Sequence, residues 1–150
     1  PALWSKIEFH LFGDGELEAV LKSQCRNLLN DQFPFYFRGK CLNIPETIAT
    51  FHIYVSTTER AGFEIVLLEA MAMELAVVSF DTGPIPEVIG TNGPGILIPN
   101  RDMAALKNVL VNLIENPEQI RQLGKAGRKR VEEIFSLEKS LSQYYQLLIE

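Results

Sequence analysis

The feature that most constrains the fold of this chain is the alternation of short apolar strands with helical segments. Between the strands lie stretches whose apolar residues recur at helical spacing. This alternation is typical of parallel strands joined by right-handed crossovers. We therefore predict an α/β fold with an open, doubly wound parallel sheet and helices on both faces. The five predicted strands lie in "KIEFHLF", "FPFYFRG", "HIYVS", "AVVSFD" and "GILIP".

Helices are predicted between and after these strands. Apolar spacing predicts one in "ELEAVLKSQCRNLLN", one over residues 63–74, and short ones in "IPETIATF" and "PEVIG". Three more close the chain after residue 100. Asp102 can cap the first of these and Ser136 the last. Asn116 followed by Pro117 begins the middle one, since proline is tolerated at the first helical position.

Length and charge exclude several classes of protein. At 150 residues, a single domain with a sizeable core is expected. A net charge of −5 argues against a protein built to bind nucleic acid. No apolar run approaches the roughly 20 residues of a membrane span, and there is no signal peptide, so we expect a cytoplasmic protein. The chain opens on Pro1 rather than Met, which indicates a piece of a longer protein.

Cysteine and histidine form no metal or disulfide motif. Cys25 and Cys41 have no CxxC spacing and are interpreted as reduced thiols. His10 and His52 each lie in a predicted strand without a second ligand nearby. We therefore predict no metal site.

Ligands in such sheets bind beyond the carboxyl ends of the strands, where the chain turns into helix. Glycine there lets a ligand approach the backbone, and a helix N-terminus offers N–H groups to an anion. Any one of these glycines is also explained by its turn alone. The turn Gly13-Asp14-Gly15 is neither a complete GxGxxG motif nor a Walker loop. Four segments lie at this edge: Gly13-Asp14-Gly15, Arg38-Gly39-Lys40, Ser56 to Phe63, and Asp81 to Glu87.

Glu69 lies in an apolar helix, between "IVLL" and "AMA", that has no polar face. Such a helix is expected to be buried nearly all round. A carboxylate there must find hydrogen-bond donors or a ligand, because an unpaired buried charge is strongly unfavourable. Its place in the helix points the side chain toward the ligand edge. Two alternatives remain: a ligand contact, or a structural glutamate bonded to N–H groups of a neighbouring loop.

The stretch "STTERAGFEIVLLEAMAMELAVVSFDTGPIPEVI" resembles the signature of retaining glycosyltransferases of the large family 4 type, which have the two-domain GT-B fold. In that pattern a loop of roughly Glu-Gly-Phe-Gly precedes an apolar helix carrying a second glutamate eight positions after the first. "FGDGEL", "YFRG", "GPGILIP" and "AGRKRVEEIFS" resemble further parts of the family's C-terminal domain, in order. The residues in register are Gly62, Phe63, Glu69, Ala70, Met71, Ala72, Val77, Val78 and Glu87.

This resemblance implies that residues 1–150 form a Rossmann-like domain that binds a nucleotide-diphosphate sugar. The implied reaction, part of polysaccharide or glycan biosynthesis, transfers a hexosyl group to an acceptor with retention at the anomeric carbon. The protein, rather than a required metal or other cofactor, would stabilise the diphosphate. The implied donor-binding residues are Glu69, Gly62, Phe63, Glu64, Gly13, Arg38, Gly39 and Thr58.

Each of these positions matches a distinct part of the family's donor site. Glu69 matches the glutamate that holds the ribose hydroxyls, and two acceptor oxygens suit a vicinal diol. Residues 62–64, in the same loop as Thr58, match the segment facing the diphosphate and sugar. Residues 38–39 match the segment lying against the base, and Gly13 matches a glycine turn lining the cleft.

The chain also departs from the family pattern. Ala61 stands where the first glutamate falls, so no catalytic residue is assigned. Glu64 stands where the family has glycine, and its charge would repel a diphosphate. Glu74 replaces the glycine that closes the helix, and Ala76 replaces a proline. The N-terminal acceptor domain, and an opening strand and loop that carry Arg and Lys, are expected to precede this chain.

Three functions follow as alternatives. The first is the donor-binding domain of a glycosyltransferase that acts when joined to its acceptor domain. The second is a non-catalytic binding or scaffolding relative, favoured by Ala61 and Glu64. The third is an enzyme of another class on the same architecture, such as a sugar-nucleotide epimerase, which the helix signature disfavours.

Basic side chains on the penultimate predicted helix leave two interpretations open. Glutamates follow the cluster directly, which is typical of a solvated helix face. The alternative is a peripheral contact with an anionic membrane surface. Arg60, near the predicted ligand edge, is interpreted as a solvated arginine. The cluster comprises Lys125, Arg128, Lys129 and Arg130.

Overall fold

The structure, a computed structural model, describes residues 7–29, 34–90 and 93–149 of the 150 in the chain. Lys6, Asn30, Phe33 and Glu150, which were predicted to lie at the ends of strands or helices, fall outside the described residues. The chain divides into two compact units, Pro1–Asn43 and Ile44–Glu150.

The first unit is built on a parallel pair of strands. Strand β1 spans Phe9–Phe12, helix α1 spans Glu18–Leu29, and strand β2 spans Phe35–Gly39. Phe9 pairs with Phe35 in the register of the two strands, and their rings stack with centroids 6.2 Å apart. The period-two pattern of the sequence therefore places aromatic side chains together on one face.

The second unit contains a three-stranded parallel sheet in the order β3-β4-β5. The predicted strands and helices of this unit are confirmed, with small changes at their ends. Its strands are β3 (Ile53–Ser56), β4 (Ala76–Asp81) and β5 (Ile96–Pro99). Its helices are α2 (Ile44–Ile48), α3 (Ile65–Ala72), α4 (Ile85–Ile89), α5 (Met103–Glu115), α6 (Pro117–Ile134) and α7 (Leu137–Ile149).

The core of this unit lies on both faces of β4, whose residues are buried except for Asp81. Val77 packs in one apolar cluster with residues of α3 and α4. Val78 and Phe80 pack in a second cluster with residues of α5. Because successive side chains of a strand point to opposite faces, these clusters confirm a sheet covered by helices on both sides.

Two of the predicted caps are present. The Asp102 carboxylate accepts a hydrogen bond from the Ala105 N–H at 2.8 Å. The Ser136 hydroxyl accepts one from the Lys139 N–H at 3.3 Å. Pro117 is the first residue of α6, as expected. None of the described helices is long and apolar enough to cross a bilayer.

Helix α3 is shorter and less enclosed than predicted. It begins at Ile65 because Glu64, with φ −83° and ψ 96°, remains extended. Ile65 is 64% exposed, so burial on all sides does not hold in the first turn. Leu67, Ala70 and Met71 are buried, as expected for the rest of the helix. The helix thus begins two residues after the predicted start near Phe63.

Candidate functional site

The carboxyl ends of β3, β4 and β5 lie at one edge of the sheet because the three strands are parallel. Ser56 ends β3, and the 57–64 loop leads from it to α3. Ligands of open α/β sheets bind at this edge. The polar groups of the loop and of the strand ends are therefore the candidate site of the second unit.

Ser56 connects both ends of the 57–64 loop to the sheet. Its side chain is buried, and its hydroxyl donates to Glu64 Oε1 at 3.1 Å. The same hydroxyl lies 3.2 Å from Thr58 Oγ1. Glu64, at the N-cap position of α3, thus turns its carboxylate toward β3 rather than capping the helix.

One carboxylate oxygen of Glu64, at the N-cap of α3, and one of Glu69, inside the same helix, lack a hydrogen-bond donor among the described residues. Glu64 Oε2 and Glu69 Oε2 are both buried, and neither has a hydrogen-bond partner in the described part of the chain. A buried acceptor without a donor is destabilising until something satisfies it. The interpretation of Glu69 as a residue bonded to loop N–H groups is therefore not realised at Oε2 within the described residues.

The charges of both carboxylates act on the phenol of Tyr54. Burial of its phenol raises its pKa to about 12, and the charges of Glu64 and then Glu69 add to the increase. Tyr54 and Ser56 are two residues apart on β3 and so share one face of the sheet. The sequence analysis missed Tyr54. The signal was present, since a tyrosine and a serine alternate with apolar residues in "IYVS".

The loop is held over the ends of the other two strands through Glu59. The Glu59 carbonyl accepts hydrogen bonds from Thr82 Oγ1 at 3.0 Å and from Asn100 Nδ2 at 3.2 Å. The Glu59 carboxylate forms an ion pair with Arg101. These contacts come from residues that follow β4 and β5, so the loop is attached to the whole sheet edge. None of the three partners was predicted to hold the loop.

Gly83 permits the closest approach of the loop to the turn after β4. Its φ is +52°, and a Cβ atom there would lie 2.3 Å from the Ala61 carbonyl oxygen. Any other residue at this position would therefore displace the loop. Ala61 itself packs against the apolar cluster of α3 and α4.

The middle of the loop is open. Gly62 is exposed, and a Cβ atom built on it would have nothing within 4 Å. Phe63 is 56% exposed, and Thr58 and Arg60 are also on the surface. The loop therefore presents backbone to solvent between two fixed ends.

The first unit contains the other predicted site residues, Gly13, Arg38 and Gly39. The Gly13 N–H donates to the Gly39 carbonyl at 2.7 Å, which joins the ends of the two strands. Both glycines have positive φ, 137° and 69°, so these turns need glycine for their own geometry. The geometry of the turns alone therefore accounts for both glycines. The lining of the cleft by Gly13, and the contact of Arg38 and Gly39 with a base, stay predictions.

The Arg38 side chain is held by its neighbours on the two strands. Its Nε–H donates to His10 Nδ1 at 3.0 Å, and its guanidinium lies over the Tyr36 ring at 4.7 Å. His10 Nε2 lies 3.1 Å from Glu8 Oε2. This row of side chains was not predicted, although the strand pattern placed Glu8 and His10 on one face.

The basic cluster of α6 is partly used within the unit. Arg128 bonds the Ala72 carbonyl and pairs with Glu132. Arg130 donates to the carbonyls of Glu87 and Val88 at the end of α4. The description of a uniformly solvated face is therefore wrong for Arg130, whose guanidinium is bound to backbone.

Among the described residues, no group of three or more His, Cys, Asp or Glu side chains could hold a metal ion. That the reaction needs no metal stays a prediction. Cys25 and Cys41 form no disulfide with each other. The arrangement at the sheet edge is one of hydroxyl and carboxylate acceptors beside an exposed, glycine-containing loop.

Comparison with known proteins decides the family. The chain matches the model of the family "Glycosyl transferases group 1" over residues 2–130. The chain belongs to this family. A curated relative, N-acetyl-alpha-D-glucosaminyl L-malate synthase of Bacillus anthracis, is 33% identical over 135 residues. That match covers 89% of this chain and 35% of the relative, so the chain spans about a third of the relative's length.

Solved structures share the fold of the chain. HepE of Anabaena, crystallised with UDP, matches with a TM-score of 0.86 at 22% identity, over 95% of this chain and 40% of that one. The C-terminal domain of the group 1 protein LpcC from Francisella tularensis matches with a TM-score of 0.71 at 22% identity, over 81% of this chain and 64% of that one. The resemblance stated from the sequence motifs is thereby confirmed.

Proposed function

We propose that this group 1 chain is the donor-binding part of a retaining hexosyltransferase that uses a nucleotide-diphosphate sugar. The observation that carries the proposal is Glu69 Oε2 in α3, a buried acceptor that finds no donor among the described residues. The vicinal hydroxyls of a ribose would supply the missing donors. The structure of HepE with UDP supports this choice of ligand by analogy.

In this proposal the exposed middle of the 57–64 loop binds the diphosphate of the donor. The open backbone of Gly62 and Phe63 would direct N–H groups to the diphosphate, which needs donors as its charge grows during transfer. No metal is required in this proposal, because the protein would stabilise the leaving group. The acceptor would bind to an N-terminal domain of the longer protein, and transfer would need both parts.

The second candidate is a non-catalytic relative that binds a nucleotide-sugar or serves as a scaffold. Ala61 cannot accept a hydrogen bond through its side chain, and its backbone is packed against Gly83. Glu64 adds a carboxylate at the start of α3. These two departures favour loss of transfer without loss of the fold.

The test is an amide NMR titration of the chain with UDP, GDP, ADP and CDP, with Glu69→Gln measured in parallel. We expect one nucleotide to shift the amides of residues 58–64 and 69. The Glu69→Gln variant should weaken that binding at least about tenfold, because an amide accepts hydrogen bonds less well than a carboxylate. Glu115→Gln, a change at the exposed end of α5, is the matched control.

Either result is informative. If no nucleotide moves these amides at millimolar concentration, donor binding by this chain is wrong. If a nucleotide binds but the longer protein transfers no sugar, the non-catalytic candidate is favoured. Restoring glutamate at Ala61 would then test whether that position is the cause.

A further inference from the structure

Phe63 extends from the open part of the 57–64 loop and lies against Phe135. The two rings meet edge to face, with centroids 6.5 Å apart and an interplanar angle of 61°. Phe135 is the C-cap residue directly after α6, and its N–H donates to the Val131 carbonyl at 2.9 Å. A residue more than 70 positions away in sequence thus contacts the loop at Phe63.

Phe135 is itself fixed by Arg130. The Arg130 guanidinium lies over the Phe135 ring at 5.7 Å. Its Nε donates to the Val88 carbonyl at 2.7 Å and its Nη2 to the Glu87 carbonyl at 2.6 Å. Because the C-terminus of a helix attracts a cation, the end of α4 stabilises the Arg130 guanidinium in this position.

Gly90 provides the space that this arrangement needs. A Cβ atom at Gly90 would lie 2.6 Å from Arg130 Cζ, and its φ of +82° also favours glycine. Arg130 therefore contacts both α4 and Phe135, and Phe135 in turn contacts Phe63.

We infer that Phe135 is a positioning residue for the 57–64 loop, and that it acts through Phe63. This inference rests on the proposed function, because the loop is there assigned to the donor diphosphate. Glu59 fixes one end of the loop and Phe63 fixes the other, which leaves Gly62 between two held points. Holding the loop before the ligand arrives lowers the entropy lost on binding.

The test compares Phe135→Leu with Phe51→Leu in the 150-residue chain. Both phenylalanines are half-buried against the same apolar cluster. Phe135 also contacts the ring of Phe63 in the loop. The readouts are the thermal midpoint, the {¹H}-¹⁵N NOE of Gly62, and the affinity for UDP. Arg130→Lys is a second variant, which keeps the charge but loses the flat guanidinium over the ring.

We expect Phe135→Leu to lower the Gly62 NOE and to weaken UDP binding about threefold to tenfold, the range expected for an aromatic pair. Arg130→Lys should change both in the same direction by a smaller factor. Phe51→Leu should lower the midpoint by a similar amount while leaving the Gly62 NOE and UDP affinity unchanged. Equal losses of affinity in Phe51→Leu and Phe135→Leu would overturn the inference, as would an unchanged Gly62 NOE in Phe135→Leu.

The two proposals fail in different ways. If the unmodified chain binds no nucleotide, the donor-binding function is wrong, and the Gly62 NOE alone decides whether Phe135 holds the loop. If UDP binds and Phe63→Leu combined with Phe135→Leu weakens it by the full product of the single effects, the two rings are not coupled and the inference is wrong.

Discussion

At the scale of single residues, Tyr54 reports on both carboxylates of the candidate site. Burial first, then the charge of Glu64, then that of Glu69 raise its pKa to about 12. We predict that Glu64→Gln lowers this pKa, and that Glu69→Gln lowers it by less. Burial remains in both variants, so neither should restore the ordinary value of 10.0. Titration of ¹³Cζ-labelled tyrosine by NMR, with Tyr54→Phe to assign the signal, measures the effect.

The same pKa predicts a loss of stability at alkaline pH. Below pH 10 the folded and unfolded chains both keep the Tyr54 proton. Between about pH 10 and 12 the unfolded chain releases it while the folded chain holds it, so the free energy of unfolding falls as pH rises. Tyr54→Phe should remove this part of the slope in urea titrations. An identical slope in the variant would contradict the assignment to Tyr54.

The contact between Arg38 and His10 predicts one tautomer of the histidine. Arg38 Nε–H is always a donor, so His10 Nδ1 must accept and the ring proton must lie on Nε2, facing Glu8. We expect long-range ¹H–¹⁵N spectra of the neutral imidazole to show the Nε2–H form. Arg38→Gln, without the guanidinium donor, should allow the other tautomer to appear. A dominant Nδ1–H form in the unmodified chain would exclude this hydrogen bond.

At the scale of secondary-structure elements, the turn after α3 is strained. Glu74 has a φ of 60°, a conformation that favours glycine, and its side chain is exposed. We predict that Glu74→Gly raises the free energy of unfolding by about 1 kcal/mol. Glu74→Ala is the control, because it removes the same carboxylate but keeps the Cβ atom, and it should give no gain. Urea unfolding of the three proteins is the measurement, and equal stability of the two variants would contradict the strain.

Helix α6 approaches this turn most closely where Gly124 faces the backbone of Glu74. A Cβ atom at Gly124 would lie 2.0 Å from the Glu74 carbonyl oxygen, whereas one at Gly127 would lie 3.4 Å from the Pro94 carbonyl oxygen. We therefore expect Gly124→Ala to cost at least about 2 kcal/mol of unfolding free energy. Gly127→Ala, on the same helix, should gain up to about 1 kcal/mol from helix propensity. Similar urea midpoints for the two variants would show that α6 does not approach Glu74 this closely.

The strands and helices could be predicted from the sequence because burial requires apolar residues at regular positions. β4 is apolar on both faces because helices cover both, and the side chains of Asp102 and Ser136 accept hydrogen bonds from the first turn of the helix that follows each. The start of α3 did not follow. Glutamate favours a helix by propensity, but the backbone of Glu64 is extended and its carboxylate accepts from Ser56, eight positions earlier.

The site could be predicted only where its signal was local. Glu69 was conspicuous because a charge within an apolar helix needs a partner. The contacts of Glu59 with Thr82 and Asn100 could not be read from the sequence, since they join segments 23 and 41 residues apart through the crossovers of the sheet. The same holds for Phe63 and Phe135, whose meeting depends on where α6 ends.

At the scale of the whole molecule, α7 contributes little to the core that carries the site. None of its described residues is buried, and several of its large apolar side chains, such as Leu148 and Tyr144, are mostly exposed. The contacts that fix the 57–64 loop end at Phe135, before this helix begins. The site and its support therefore do not depend on α7.

Removal of residues 137–150 should accordingly leave the second unit folded. We expect the thermal midpoint to change by less than about 3 °C, because little buried surface is lost. Binding of a dye that reports exposed apolar surface should fall, since the exposed leucine and tyrosine side chains leave with the helix. A second truncation that also removes residues 132–136 is the control. It takes away Phe135 with the end of α6, so it should lower the midpoint further and lower the {¹H}-¹⁵N NOE of Gly62. A drop of more than about 5 °C in the first truncation would mean that α7 stabilises the unit through contacts that its exposure conceals.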